Sequence, residues 1–174
     1  MIKRSIEYQN ELYTNLLSII DNPKYMYFHA SSTVNLNSLI PNIETISYQN
    51  SFVSINDGKI IGFISYDFDN TDLCTYNWKI ISFEDKPNIV FSRDVLTVID
   101  DAFCKYNFNK IEFSCVSGNP ILKVYRRFIK KYNGVEVGCR KQHCILIDRK
   151  YHDMYYFDIF AEGYKRRKYG NNNK

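Results

Sequence analysis

The sequence lacks the features by which the most easily recognised classes of protein are identified. Only 7 of its 174 residues are Gly and 4 are Pro, and no apolar run approaches the roughly 20 residues that a membrane helix needs. The N-terminus shows no basic segment followed by an apolar stretch and a small-residue cleavage site, so we expect no signal peptide. We therefore expect a cytoplasmic protein with no membrane contact and a single domain.

Several catalytic motifs are also absent. The sequence contains no GxxxxGK[ST] phosphate loop, no GxSxG nucleophile turn and no HExxH metal motif. No glycine occurs between Gly62 and Gly118, so a GxGxxG dinucleotide loop cannot lie in that span. These absences argue against a P-loop nucleotide hydrolase, a serine hydrolase of the α/β type and a zinc protease.

The five cysteines form neither a disulfide pattern nor a clear metal pattern. Their number is odd and no Cys-x-x-Cys occurs, which favours a reducing compartment over a disulfide scaffold. Cys139, His143 and Cys144 lie close together, but in a strand Cys144 points away from the other two. We expect ordinary buried thiols here and no bound metal.

The net charge of +4 is concentrated at the C-terminal end. Residues 165–174 carry five bases and no acid, and without them 18 bases face 19 acids. A nearly neutral body argues against a general nucleic-acid binder. We expect 165–174 to be a solvated, flexible basic tail, with a contact to RNA, the ribosome or an acidic partner as the alternative.

The 15 Tyr and 12 Phe favour β-structure. In the first half, apolar spacing predicts a helix over 7–20, a short strand over 25–29 and a weak helical pattern over 33–47, interrupted by Pro41. Strands are predicted over 52–55, 59–67 and 74–83, the first two joined by the turn 56–58.

In the second half, a helix over 93–106 is predicted to begin after a Ser92 cap. It is followed by a buried strand over 110–116, a helix opening at 119–120, and strands over 135–147 and 155–161. This order predicts a mixed α/β sheet covered by helices, in one domain spanning 1–164.

Three segments of the second half, taken in order, resemble the GNAT superfamily of acyl-CoA-dependent N-acetyltransferases, in the branch near ribosomal-protein acetyltransferases. They are 118–128 (GNPILKVYRRF), 134–138 (GVEVG) and 151–158 (YHDMYYFD). They combine an Asn, a Tyr six residues later, a helix stop, a hydrophobic strand and a final strand. The resemblance covers about residues 50–163. It implies N-terminal helices, a three-strand antiparallel meander, a helix, a central parallel strand, a helix and two last strands.

The resemblance also implies where acetyl-CoA would bind as co-substrate. In this fold the third meander strand diverges from the next parallel strand, and the pantetheine arm bonds to the exposed strand edge. Here that edge would include Ile80, Ile81 and Ser82, with a backbone N–H near Ile81 polarising the thioester carbonyl. The diphosphate would lie at the N-terminus of the next helix, in the segment 88–93.

This phosphate-binding segment departs from the family pattern, [Q/R]xxGx[G/A], because it contains no glycine. The resemblance places Phe91, Ser92 and Arg93 against the phosphates, where Ser92 offers a small side chain and a hydroxyl and Arg93 offers a positive charge. The alternative is an ordinary capped helix with one exposed arginine. Loss of CoA binding would make the chain a non-catalytic binding or assembly module with a GNAT-like fold.

Each candidate for the chemistry has a structural alternative. Asn119 would bond to pantetheine, or cap the following helix at a value of about 1 kcal/mol. Tyr125 would protonate the leaving thiolate, or simply pack in the core stripe of its helix. The general base would be Glu84, with Asp67 and water as alternatives, and the structural alternative for both acids is a solvated turn. The acids Asp67, Asp69 and Asp72 would recognise a cationic substrate, or are simply typical turn residues.

The function that this resemblance implies is acetyl transfer from acetyl-CoA to a primary amine, by direct attack in a ternary complex. The acceptor would be a small-molecule or peptide amine. We expect a monomer or homodimer.

Overall fold

The computed structural model describes residues 1–20, 22–28 and 47–170. Its strands are β1 (Ile2–Arg4), β2 (Gln49–Asn56), β3 (Lys59–Asp69), β4 (Cys74–Ser82), β5 (Lys110–Val116), β6 (Val135–Ile145) and β7 (Tyr151–Phe160). Its α-helices are α1 (Gln9–Leu17), α2 (Ile89–Cys104), α3 (Leu122–Lys131) and α4 (Ala161–Tyr169). Within these residues, no helix has the length and apolar character needed to cross a membrane.

All seven strands form one sheet in the order β1-β2-β3-β4-β5-β7-β6. Neighbouring strands are antiparallel except β4 and β5, which are parallel. Asp57 and Gly58 join β2 to β3 with φ values of 49° and 76°, the left-handed backbone that a two-residue hairpin turn requires. The predicted mixed sheet with its three-strand meander is confirmed.

Helices cover the two faces of the sheet unequally. On the α1 face, Leu12 and Leu16 pack with Phe63 of β3. On the α2 face, helices α2, α3 and α4 share the larger core, which includes Tyr66, Phe103, Ile129, Phe157 and Tyr164. The central strands are therefore apolar on both faces, which explains their nearly continuous hydrophobic sequence.

The segment before the first gap in the described residues is not a strand. Pro23–Tyr25 forms a 3-10 turn, and the side chain of Asn22 accepts a hydrogen bond from Lys24 N at 3.0 Å. The predicted strand over 25–29 is therefore wrong for 25–28, because the Asn-Pro pair starts a turn instead. His29 and the helical pattern predicted over 33–46 lie outside the described residues.

Helix α2 begins four residues earlier than predicted. Its cap is Asn88, whose side-chain oxygen accepts from Val90 N at 2.8 Å and Phe91 N at 3.2 Å. Ser92 lies inside the helix, where its hydroxyl donates to the Asn88 carbonyl at 2.9 Å. The predicted Ser92 cap is wrong because Asn88 already satisfies the first free N–H groups of the helix.

The basic C-terminal segment is largely helical. Residues 165–169 belong to α4, so the prediction of a flexible tail is wrong for them, and 171–174 lie outside the described residues. Lys168 Nζ pairs with Asp100 Oδ1 at 2.6 Å, and the Tyr169 hydroxyl donates to the same oxygen at 2.8 Å. Tyr164 is buried against Phe103, with ring centroids 4.8 Å apart. This apolar anchor holds α4 on the core despite its charge.

Candidate active site

Strands β4 and β5 diverge almost as soon as they meet. Their ladder consists of the pairs Cys74–Lys110 and Thr75–Ile111. Beyond these pairs β4 continues to Ser82 and β5 to Val116, but the two strands no longer pair with each other. A wedge therefore opens between them. The divergence of these strands that the resemblance implies is therefore present.

A bulge in β4 marks the start of the wedge. Asn77 has a φ of 52°, and the β3–β4 register shifts by one residue opposite it. Its side chain donates to Asp67 Oδ2 at 2.9 Å, while Gln49 donates to Asp67 Oδ1 at 2.9 Å. Trp78 then stacks on Tyr66 with ring centroids 4.5 Å apart. Both carboxylate oxygens of Asp67 therefore hold the bulge.

Backbone groups of β4 face the wedge at alternate residues. Phe83 N donates to Ile61 O at 3.0 Å, so residues 83, 81 and 79 direct their backbone bonds toward β3. The N–H and C=O groups of Ile80 and Ser82 therefore point to the opposite edge, into the wedge. The backbone N–H that the resemblance places near Ile81, as the donor to a thioester carbonyl, would therefore belong to Ile80 or Ser82.

A cleft of about 830 Å³ passes through the wedge from one face of the sheet to the other. On the α2 face its walls include Trp78, Ile80, Cys115 and Tyr125. On the α1 face they include Tyr25, Tyr27, Phe28 and Met154. Both faces of the sheet therefore contribute walls to this cleft.

Tyr125 projects from α3 onto the α2-face wall of this cleft. Its ring meets Phe113 edge-on, with centroids 5.0 Å apart and planes at 85°. Burial, and to a smaller extent the neighbouring Cys115, raises the pKa of the Tyr125 phenol above its ordinary value. Among the described residues its hydroxyl has no hydrogen-bond partner. The phenol is therefore protonated at neutral pH and open to a ligand in the cleft.

The thiol beside it is unreactive. Cys115 is buried, and burial raises its pKa to about 11. Its S–H donates weakly to the Val116 carbonyl at 3.6 Å. Since the thiolate is the nucleophilic form, Cys115 is not suited to covalent catalysis at neutral pH.

Asn119 lines the cleft at the turn before α3. Its side-chain oxygen accepts from Ile121 N at 3.0 Å, a bond within the turn that precedes Leu122, where α3 begins. The predicted cap at Asn119 is therefore wrong, because the helix starts later and Ile121 is its cap residue. No acceptor among the described residues bonds to the Asn119 side-chain nitrogen, which leaves Nδ2 as a donor for a ligand.

The three residues expected at the phosphates do not line the cleft. Phe91 is buried against Gly62, where an added Cβ would come 2.3 Å from its ring. The hydroxyl of Ser92 is bonded within the helix, and Arg93 is exposed on its surface. The Asn88 side chain already accepts from two of the N–H groups that an anion would use.

The acid that borders the cleft is Asp85, the neighbour of the proposed base Glu84. Glu84 is exposed outside the lining, whereas Asp85 borders the cleft and bonds to Lys24 Nζ at 2.6 Å. This ammonium holds the pKa of Asp85 below its usual range, and Asp85 raises that of Lys24. Lys24 Nζ also lies 4.9 Å from the centroid of the Tyr25 ring.

Sequence reasoning missed most of the cleft walls. Tyr25, Tyr27 and Phe28 belong to an aromatic run that was assigned to a strand, and Trp78, Ser114 and Met154 were not singled out. The density of aromatic residues over 25–28 is a sequence signal for the first three of these residues only.

The candidate metal ligands serve other contacts. His143 Nε2 bonds to the Tyr156 hydroxyl at 2.9 Å, and Cys144 donates weakly to the His152 carbonyl at 3.7 Å. Within 1–20, 22–28 and 47–170, no three His, Cys, Asp or Glu side chains converge on a possible metal position.

Comparison with known proteins identifies the fold. The sequence matches no family model, and no curated protein matches it. A spermidine N-acetyltransferase from Vibrio cholerae, solved with CoA and spermine, matches with a TM-score of 0.70 at 15% identity, over 94% of this chain and 96% of that one. This chain has the GNAT fold.

Two further structures support this assignment. A ribosomal-protein-alanine N-acetyltransferase from Brucella melitensis matches with a TM-score of 0.69 at 15% identity, over 92% of this chain and 99% of that one. A probable GNAT-family acetyltransferase from Chromobacterium violaceum matches with a TM-score of 0.69 at 12% identity, over 95% and 88%. The resemblance proposed from three sequence segments is therefore confirmed for the GNAT fold.

Proposed function

We propose that this protein is an N-acetyltransferase that uses acetyl-CoA to acetylate a primary amine. The observation that carries the proposal is the cleft through the diverging strands β4 and β5, with the protonated Tyr125 phenol on its wall. The GNAT fold supports this assignment, because the solved acetyltransferases named above share it.

The cleft suits the pantetheine arm of acetyl-CoA. Pantetheine carries two amide groups on a narrow chain, and the backbone groups of Ile80 and Ser82 offer partners for such amides, as in strand addition. Asn119 Nδ2 offers a further donor. The diphosphate finds fewer backbone donors than a glycine-rich loop provides, so we assign compensating charge to the exposed Lys86 and Arg93 on either side of Asn88.

The reaction requires one nucleophilic attack and one proton donation to sulfur. The amine nitrogen attacks the thioester carbon, the C–S bond breaks, and the ammonium proton leaves to water. The Ile80 N–H would donate to the developing oxyanion. Tyr125 would protonate the departing thiolate, a role that rests on the position of its phenol on the cleft wall, since a tyrosine is protonated at neutral pH and the raised pKa leaves it so. Holding both substrates in the wedge supplies proximity and orientation.

The α1-face wall of the cleft is the side we assign to the acceptor amine. Tyr25, Tyr27 and Phe28 belong to it, and Asp85 borders the cleft. The aromatic wall favours a cation. Asp85 already pairs with Lys24 Nζ at 2.6 Å, so an acceptor ammonium would share that carboxylate with Lys24. The lowered pKa of Asp85 makes it a poor acceptor for the ammonium proton. Glu84 is exposed outside the lining, so we assign proton removal to water.

A non-catalytic GNAT-like module is the second candidate. The observation in its favour is the Asn88 side chain, which occupies the N–H groups of Val90 and Phe91. If that cap excludes the diphosphate, the cleft would serve only as a binding surface.

Thiol release from acetyl-CoA, followed with a disulfide dye, tests the proposal. The panel should contain spermine, spermidine and a peptide with an N-terminal alanine, since neighbours of this fold are described with such acceptors. We expect amine-dependent release with at least one acceptor and an acetylated product by mass. No release with any amine of a broad panel, together with no binding of acetyl-CoA, would favour the module.

A further inference from the structure

Basic side chains are segregated onto two short helices. Helix α3 carries five bases and no acid, and α4 carries four bases with Glu162 as its one acid. The two helices thus have a net charge of +8, while the rest of the chain, with 14 bases and 18 acids, has a net charge of −4. Such asymmetry produces a strong local positive potential on a protein whose net charge is small.

The fold brings these helices together. Gly163 in the first turn of α4 lies against the end of α3, where an added Cβ would come 2.7 Å from the Tyr132 carbonyl oxygen. Between them runs a groove of about 490 Å³, which we call the basic groove. It is lined by Lys131, Asn133, Gly163, Arg166, Arg167 and Gly170, and therefore contains three cations and no acidic or large apolar side chain.

Most of these cations are available to a ligand. Lys131, Arg166 and Arg167 are exposed, as are Arg127 and Lys130 on the adjoining surface of α3. Arg166 pairs with Glu162 one turn away, whereas no carboxylate within the described residues pairs with Lys131 or Arg167. Solvated cations on two rigid helices can bind an extended anion with little reorganisation.

We propose that the basic groove binds the phosphate backbone of a nucleic acid. A backbone with a charge at every nucleotide matches several cations spread over two helices better than a small anion does. Paired arginines favour phosphate because their guanidinium groups bond to it in a bidentate manner. The lining contains no apolar side chain of the kind that amphipathic helices insert into a membrane surface.

The basic groove is separate from the cleft. The cleft extends along α3 as far as Tyr125, and the basic groove borders Lys131 at the end of the same helix, so about 9 Å of helix lies between them. The sequence argues against a general nucleic-acid binder because the chain without 165–174 is nearly neutral. The fold changes this conclusion, because it adds the bases of α3 to those of α4.

The test compares two triple variants that each remove three positive charges. The first changes Lys131, Arg166 and Arg167 to Gln. The matched control changes three exposed bases to Gln: Lys59 at the start of β3, and Arg149 and Lys150 in the turn between β6 and β7. Affinity for a fluorescein-labelled oligouridylate is measured by anisotropy between about 50 and 200 mM salt. Circular dichroism confirms that both variants are folded.

We expect the unmodified protein to bind the oligouridylate, and the groove variant to bind at least about tenfold more weakly at low salt. Loss of three phosphate contacts should reduce the slope of log K against log salt by about 2. The control should stay within about twofold, and acetyl-CoA titration should be unchanged in both variants, which separates this result from the proposed function.

Three results would overturn the proposal. They are absence of binding at low salt, an equal loss in the control variant, and equal competition by polyglutamate at the same charge concentration. Groove-dependent binding to phosphatidylserine vesicles without RNA binding would likewise reject a nucleic acid in favour of a membrane surface.

Discussion

The ring of Tyr125 meets the ring of Phe113 edge-on, with centroids 5.0 Å apart and planes at 85°. Phe157 lies on the same side, 6.4 Å from Tyr125. The two phenylalanines hold the tyrosine ring by shape alone, so the hydroxyl remains free for a ligand in the cleft. Packing and proton donation are therefore separable at this position.

Tyr125→Phe should keep the fold and lose turnover. We expect kcat to fall about 10²-fold or more, with KM for acetyl-CoA nearly unchanged, because only proton donation to the thiolate is removed. Tyr132→Phe is the control, since Tyr132 is buried between Phe128 and Tyr164 away from the cleft. Steady-state thiol release measures both variants. Equal turnover in Tyr125→Phe and the parent would remove the proposed acid.

Gly62→Ala should destabilise the protein by about 1–3 kcal/mol through overpacking. An added Cβ would come 2.3 Å from the Phe91 ring, so either this buried ring or the start of α2 must move. Gly138→Ala is the matched control, because nothing lies within 4 Å of its added Cβ. Urea unfolding measures both. A Gly62→Ala protein as stable as Gly138→Ala would show that Phe91 does not fix α2 against β3.

The bulge at Asn77 predicts an order of stability between two variants. Both Asn77→Gly and Asn77→Ala lose the hydrogen bond to Asp67. Only Ala also pays the cost of a φ of 52°, so it should be less stable than Gly by about 1 kcal/mol. The comparison requires two urea titrations. If the Asn77→Ala variant is as stable as the Asn77→Gly variant or more stable, the positive φ of the bulge does not persist in solution.

Cys115 and the exposed Cys104 should be alkylated at different rates. At pH 8 the Cys115 thiol stays protonated because its pKa is raised to about 11, so iodoacetamide should modify it slowly. Its rate should rise about tenfold per pH unit as the thiolate fraction grows, within the range where the protein stays folded. Acetyl-CoA should protect Cys115 and leave Cys104 unaffected. Peptide mass spectrometry gives both rates, and equal rates at pH 8 would contradict the burial of Cys115.

The fold could be predicted where the sequence signal is local. The hairpin at Asp57 and Gly58, the strands of the meander and the helix after Asn119 follow from turn chemistry and apolar spacing. The predicted start of a helix was wrong where two residues could serve as its cap. Asn88 rather than Ser92 caps α2. The helical state of 165–169 was missed because one buried residue, Tyr164, outweighs a run of charges.

The site could be predicted only in part, because it is built by topology. Ile80, Ser82, Asn119 and Tyr125 lie on elements whose order apolar spacing predicts, but their place around a cleft was supplied by the resemblance. The α1-face wall comes from 24–28, whose path across the sheet no local pattern encodes. Likewise, the basic groove exists only because the fold places the end of α3 beside α4.

Calorimetric titration with acetyl-CoA tests the central claim most directly. If the wedge between β4 and β5 holds this substrate, the protein should bind one molecule with a measurable heat. Ser114→Trp, which places a large side chain on the cleft wall, should abolish that heat while the protein stays folded. No heat and no thermal shift with the unmodified protein, or equal binding by the Ser114→Trp variant, would contradict the account.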